Sequence, residues 1–175
     1  VINGVSKGYD MTGWRIGYIA APKWIAKACN KIQGQLTSGA SSVSQMASVA
    51  ALNIETNNIS EMVAAFKRRR DLVFKLTKEI EGFNVNKPEG AFYLFPEVKS
   101  FFGKSDGETT INNSSDLAIY ILEKAHVATV TGEAFGSPDY LRFSYATSDE
   151  KLIEAITRMK KELENNMPNL MLILL

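Results

Sequence analysis

Apolar positions in this chain follow two periods, and the switches between them mark out the elements. Ile25, Ala28 and Ile32 share one face of a helix predicted over residues 24–33, opened by Pro22. A second helix is predicted over residues 43–54, with Ser42 or Ser44 as its cap. Met62, Ala65, Phe66, Val73, Leu76 and Ile80 recur at helical spacing through residues 59–81, with Ser60 as N-cap and Gly82 as the stop. Residues 116–125 form a shorter helix burying Leu117, Tyr120 and Ile121. A final helix opens at Ser148-Asp149-Glu150 and runs to about residue 165, with Leu152, Ile156, Met159 and Leu163 in register. Between helices the period shortens. The run IGYIAAP after Arg15 reads as a buried strand, FNVNKPEGAFYLFPEV as two extended runs around a KPEG turn, and VATVTG as a further strand followed by a GEAFG turn. In YLRFSYA, alternation puts Leu141, Phe143 and Tyr145 on one face and Arg142 and Ser144 on the other. Residues 101–115, rich in Gly, Ser, Asn, Asp and Thr, read as a long exposed loop, and QLTSGASSVSQ as another loop.

Composition narrows the class. The 175 residues are 45% hydrophobic and 22% charged, enough for one domain with a sizeable core or one domain and part of another. With 20 basic and 19 acidic side chains, net charge gives no case for nucleic acid or an acidic membrane. The KRRR cluster at residues 67–70 lies on a helix, which spreads it around the circumference, so a solvated or inter-subunit face is expected. Cys29 is the single cysteine, which excludes an internal disulfide and suits the cytosol. His126 stands alone at a helix-to-strand junction with no second metal ligand suitably spaced, and reads as structural. Zinc-protease, P-loop, nucleophile-elbow and dinucleotide motifs are absent. The start, VINGVSK, lacks a signal peptide, and the tail MPNLMLILL at residues 167–175 is about half as long as a bilayer crossing needs.

Two places carry chemistry. In VSKGYDMTGWRIG, Lys7 sits in a Ser- and Gly-flanked turn and Arg15 between an aromatic and an apolar residue. A lysine drawn into a packed core is expensive to keep charged, and the same environment makes its amine nucleophilic towards an aldehyde. Arg15 supplies a permanent planar cation suited to a phosphate. Lysine for an aldehyde and arginine for a phosphate describe the two ends of pyridoxal phosphate. The second place is Arg142, in mid-strand, where a guanidinium needs an anion and its fork fits a carboxylate.

These residues resemble the lysine signature of the class I pyridoxal-phosphate-dependent aminotransferases, in the branch carrying S-K-x-x-x-M-T-G-W-R-I-G. Gly4 and Ser6 fill the small positions before the lysine, and Asp10 departs from the small or apolar residue usual there. The piece P-x-G-A-F-Y and the strand Y-L-R-F-S-Y-A resemble the same family. The resemblance implies an α/β fold, α+β in the C-terminal small domain, as part of the fold type I architecture. Residues 1–60 would close the large cofactor domain, 61–81 would bridge, and 82–175 would form the small domain. It implies that Lys7 bonds to the cofactor's aldehyde and moves the substrate proton, that Ser6 and Arg15 contact the cofactor, Arg15 at its phosphate, and that Arg142 binds the substrate's α-carboxylate. The loop at residues 37–42 would lie at a dimer interface.

On that resemblance the chain begins inside a fold. The remaining cofactor contacts lie upstream of Val1, and the piece alone is expected to be inactive. The expected parent is a cytosolic homodimeric aminotransferase of aspartate and 2-oxoglutarate, with pyridoxal 5'-phosphate as cofactor, amino-acid and 2-oxo-acid substrates, and no metal, nucleic acid or membrane partner. Aromatic or alanine aminotransferases and carbon–sulfur lyases remain open within the family. A non-catalytic small-domain or dimerisation module remains open outside it.

Overall fold

The computed structural model describes residues 1–55 and 59–167. The chain divides into two compact units, Val1–Glu61 and Met62–Leu175.

The first unit is a ribbon and two helices. Strands β1 (Ile2–Gly4) and β2 (Gly17–Ile19) pair antiparallel, Asn3 opposite Tyr18, and helices α1 (Lys23–Leu36) and α2 (Ser42–Asn53) follow. The IGYIAAP strand forms, but it is not buried: Tyr18 is 44% and Ile19 41% exposed. A two-stranded ribbon has no sheet neighbour to cover it, and apolar content reports that a surface wants a partner without supplying one. The same holds for α1, which buries no residue and leaves Trp24 and Ile32 exposed. Helix α2 starts one residue earlier than predicted. Its N-cap is Ser41, which makes no side-chain cap bond, while Ser44 is buried inside the helix and Ser48 Oγ donates to the Ser44 carbonyl. The unit's own core is small: Val5, Met11 and Ala51, backed by Tyr9, Ile16 and Ala47.

The second unit holds the main core. Helix α3 (Ser60–Lys78) leads into a three-stranded antiparallel sheet ordered β3 (Tyr93–Leu94), β5 (Leu141–Ser144), β4 (Val130–Thr131). Tyr93 opposes Ser144, Leu94 opposes Phe143, and Val130 opposes Arg142. The predicted alternation holds: Leu141, Phe143 and Tyr145 are buried, and Arg142 and Ser144 are not. Helix α5 (Asp149–Asn166) buries Leu152, Ile156, Met159 and Leu163, and its N-cap Ser148 accepts from the Lys151 amide. Helix α4 (Ser114–Tyr120) continues as a π turn through Ala125 and ends on His126, whose φ of 55° marks the chain reversal there.

Two expectations need correction. The loop at residues 101–115 is not wholly exposed, because Phe101 and Ile111 are fully buried. Reciprocal backbone bonds, Gly103 N–H to the Ile111 carbonyl at 2.7 Å and Ile111 N–H to the Lys104 carbonyl at 2.9 Å, close it as an anchored turn. The KRRR cluster is also not merely solvated. Arg68 and Arg69 both meet Asp149, at 2.8 and 3.2 Å, and Arg70 and Lys87 meet Asp71, each at 2.9 Å. Of the apolar tail, Met167 is buried, and residues 168–175 lie outside the described residues.

The Asp149 pair makes a pH prediction. Hydrogen bonding from Arg68, then from Arg69, holds the Asp149 carboxyl below its ordinary value. Its folded pKa is depressed, so its contribution is complete above the unfolded value near ~3.9 and fades as pH falls through the folded value. Asp149→Asn therefore lowers the melting temperature at neutral pH, and the gap to wild type closes below about pH 4. Thermal unfolding of both proteins across that range measures it; a gap independent of pH would assign the effect to something other than this charge.

Candidate active site

The lysine loop is held at both ends by buried side chains. Val5 and Met11 dip into the small core, and the carbonyl of Ser6 accepts from the Met11 amide and the Thr12 hydroxyl, both at 3.1 Å. The Tyr9 amide closes the loop on the Val5 carbonyl at 3.2 Å. Lys7 therefore stands on the outside of a pinned loop. It is exposed, not drawn into a core as the sequence suggested, because the first unit's core ends at Val5 and Met11. Asp10 adopts φ 53°, and aspartate is among the few residue types that tolerate this left-handed region, so its departure from a small side chain fits the local backbone.

A 3-10 turn, Thr12–Trp14, follows and ends on Arg15 at φ 52°. Arg15 Nη1 donates to the Thr12 carbonyl at 3.0 Å, which ties the guanidinium to the turn. A left-handed non-glycine residue costs about 1–2 kcal/mol, and such strain collects at binding sites.

Ser6 and Lys7 line one recess of roughly 590 Å³ together with Tyr9 and Tyr18. Arg15 lines an adjoining groove of roughly 760 Å³ with Trp14, Asn30 and Ser41. Asn3, Ile16, Gly17 and Tyr18 border both, so the ribbon is their common wall. The structure brings Lys7 and Ser6 together and sets Arg15 across that wall. Among the described residues, no carboxylate lines the lysine recess.

Arg142 belongs to the second unit. It projects from the sheet face opposite the core, and its guanidinium carbon lies 4.2 Å from the Tyr93 ring centroid and 4.1 Å from that of Phe135. Among the described residues no carboxylate pairs with it, so the structural ion pair a mid-strand arginine usually forms is missing here. Sequence reasoning passed over these two aromatics. Tyr93 lies in the extended run after the KPEG turn and Phe135 in the GEAFG turn, and neither pattern marks an arginine contact. The available signal was an aromatic flanked by Gly132 and Gly136, a residue type that Gly-rich turns seldom need.

Among the described residues no helix is long and apolar enough to cross a membrane, and no cluster of His, Cys, Asp and Glu could hold a metal ion.

A family model described as aminotransferase class I and II matches residues 1–159. A Petunia hybrida protein named bifunctional aspartate aminotransferase and glutamate/aspartate-prephenate aminotransferase is 51% identical over 166 residues, which cover 93% of this chain and 35% of its own. The crystal structure of the aspartate aminotransferase from Rhizobium meliloti is similar with a TM-score of 0.88 at 46% identity, over 92% of this chain and 40% of that one. An aromatic aminotransferase from Pyrococcus horikoshii gives a TM-score of 0.81 at 39% identity, over 93% and 42%. The chain thus spans about two-fifths or less of the length of these relatives.

Proposed function

Because this chain belongs to the class I and II aminotransferases, and its mixed helix-and-strand structure is part of their fold type I, we propose that the full-length protein is a pyridoxal-phosphate-dependent aminotransferase. Its substrates on this reading are aspartate and 2-oxoglutarate, and it works as a cytosolic homodimer. The observation that carries the reading is the pinned lysine loop beside a strained, phosphate-competent arginine. Aspartate as a substrate is favoured by the name of the 51% identical Petunia relative. Residues 1–60 then close the large domain, residues 61–81 bridge, and residues 82–175 form the small domain.

The donor set fits the cofactor in kind. Lys7 offers the primary amine an aldehyde requires, Ser6 a hydroxyl beside it, and Arg15 a planar cation for a phosphate. Bound pyridoxal phosphate supplies an electron sink for bonds broken at the amino acid's Cα. Lys7 Nζ is then the group that holds the cofactor and moves the Cα proton, as a positioned amine does in general acid–base catalysis. Arg15 anchors the phosphate, and Arg142 orients the substrate by its carboxylate. The 175 residues span 35% and 40% of the Petunia and Rhizobium relatives, and alone they are expected to be inactive.

The test is direct. Full-length protein mixed with the cofactor develops an absorbance band near the visible edge and converts aspartate and 2-oxoglutarate at least about tenfold more efficiently than it uses alanine or phenylalanine. No band would mean a scaffold without catalysis, and a preference for another donor would reassign the specificity.

A further inference from the structure

We infer that Tyr93 and Phe135 clamp the Arg142 guanidinium between their ring faces, so that Phe135 is a positioning residue for substrate binding. This rests on reading Arg142 as the ligand of the substrate's carboxylate. A guanidinium within about 6 Å of a ring centroid is attracted to the ring face, and Arg142 meets two rings at little more than 4 Å. Its N–H donors lie in the guanidinium plane, where an aromatic face offers them no acceptor. With both faces engaged, the edge is what remains for a ligand, and a planar two-oxygen carboxylate matches that edge.

Phe135 is held there by its turn and not by the core. It is 46% exposed, unusual for a phenylalanine in an otherwise well-packed unit. The 3-10 turn Gly132–Phe135 is pinned by the Gly132 amide on the Tyr140 carbonyl at 2.7 Å and the Ser137 amide on the Gly132 carbonyl at 2.9 Å. A Cβ on Gly132 would collide with the Ser137 carbonyl oxygen and stand 2.6 Å from that of Tyr140, so this turn requires glycine. Gly136, at φ 74°, closes it. Phe95 braces Phe135 edge-on at 6.2 Å and itself stacks on Tyr140 at 5.0 Å. The series Tyr93, Arg142, Phe135, Phe95, Tyr140 thus forms one continuous chain of ring contacts, drawn from three separate stretches of sequence, with Arg142 as its cation.

The experiment uses the cofactor-loaded full-length protein, with L-aspartate for kinetics and succinate, an unreactive dicarboxylate, for calorimetry. Phe135→Leu is expected to raise the aspartate KM and the succinate Kd about 3- to 30-fold, with kcat, cofactor absorbance and melting temperature nearly unchanged. Phe135→Tyr keeps the ring face and restores both. In an Arg142→Lys background Phe135→Leu adds little, because its effect passes through the arginine. Should Phe135→Leu fail to fold, Tyr93→Leu makes the same comparison from the other face. Normal succinate binding in Phe135→Leu beside weakened binding in Arg142→Lys would overturn the clamp and leave the carboxylate reading standing. Normal binding in both would overturn both. Full additivity in the double variant would also overturn the clamp, making Phe135 a structural residue.

Discussion

Replacing Lys7 by alanine in the full-length protein abolishes amino-group exchange, lowering kcat at least ~10⁴-fold. The same amine is asked to hold the cofactor and to move the Cα proton, and alanine can do neither. The structure separates this loss from a folding defect. Val5 and Met11 anchor the loop, and the bonds closing it run through the backbone of Val5, Ser6, Tyr9 and Met11. Removing the side chain between those anchors leaves these backbone bonds in place, so a variant that keeps the wild-type circular-dichroism spectrum and oligomeric state separates the lost exchange from a lost fold. Borohydride reduction of the cofactor-loaded wild type labels the peptide carrying Lys7, and the variant remains unlabelled. Label on any other lysine would move the catalytic assignment away from this loop.

What could be seen in advance followed from how far apart the cooperating residues lie in sequence. The buried faces of β5 and α5 were legible because each is a local period: Leu141, Phe143 and Tyr145 alternate, and Leu152, Ile156, Met159 and Leu163 repeat along one helix stripe. Ser6, Lys7 and Arg15 could be proposed as a group for the same reason, as one short stretch carries all three. The partners of Arg68 and Arg69 were not, because Asp149 lies about eighty positions on and nothing in a helix pattern points to it. The loop at residues 101–115 was misjudged by its composition. Its many small polar residues outweigh Phe101 and Ile111, yet those two decide where it sits. The strand after Arg15 was judged buried from apolar content, which cannot tell a covered surface from one whose cover comes from elsewhere.

Arg142→Lys should lower kcat/KM for amino acids by a factor of about ten to several hundred. A bidentate guanidinium–carboxylate pair contributes roughly 1.5–3 kcal/mol, and each 1.4 kcal/mol is tenfold in rate. Lysine keeps the charge but not the fork, and its compact ammonium cannot lie flat between the two rings of Tyr93 and Phe135. Both losses act on the substrate's carboxylate and neither on the cofactor, so the absorbance of the loaded protein should hardly change. Amines that lack the carboxylate should be handled equally well by both proteins, which isolates the interaction to that one group. The sheet should survive, because Arg142 faces away from the buried side formed by Leu141 and Phe143. A variant with ordinary kinetics towards amino acids, or one that unfolds, would make Arg142 a residue of the sheet's stability and leave the substrate's carboxylate to another cation.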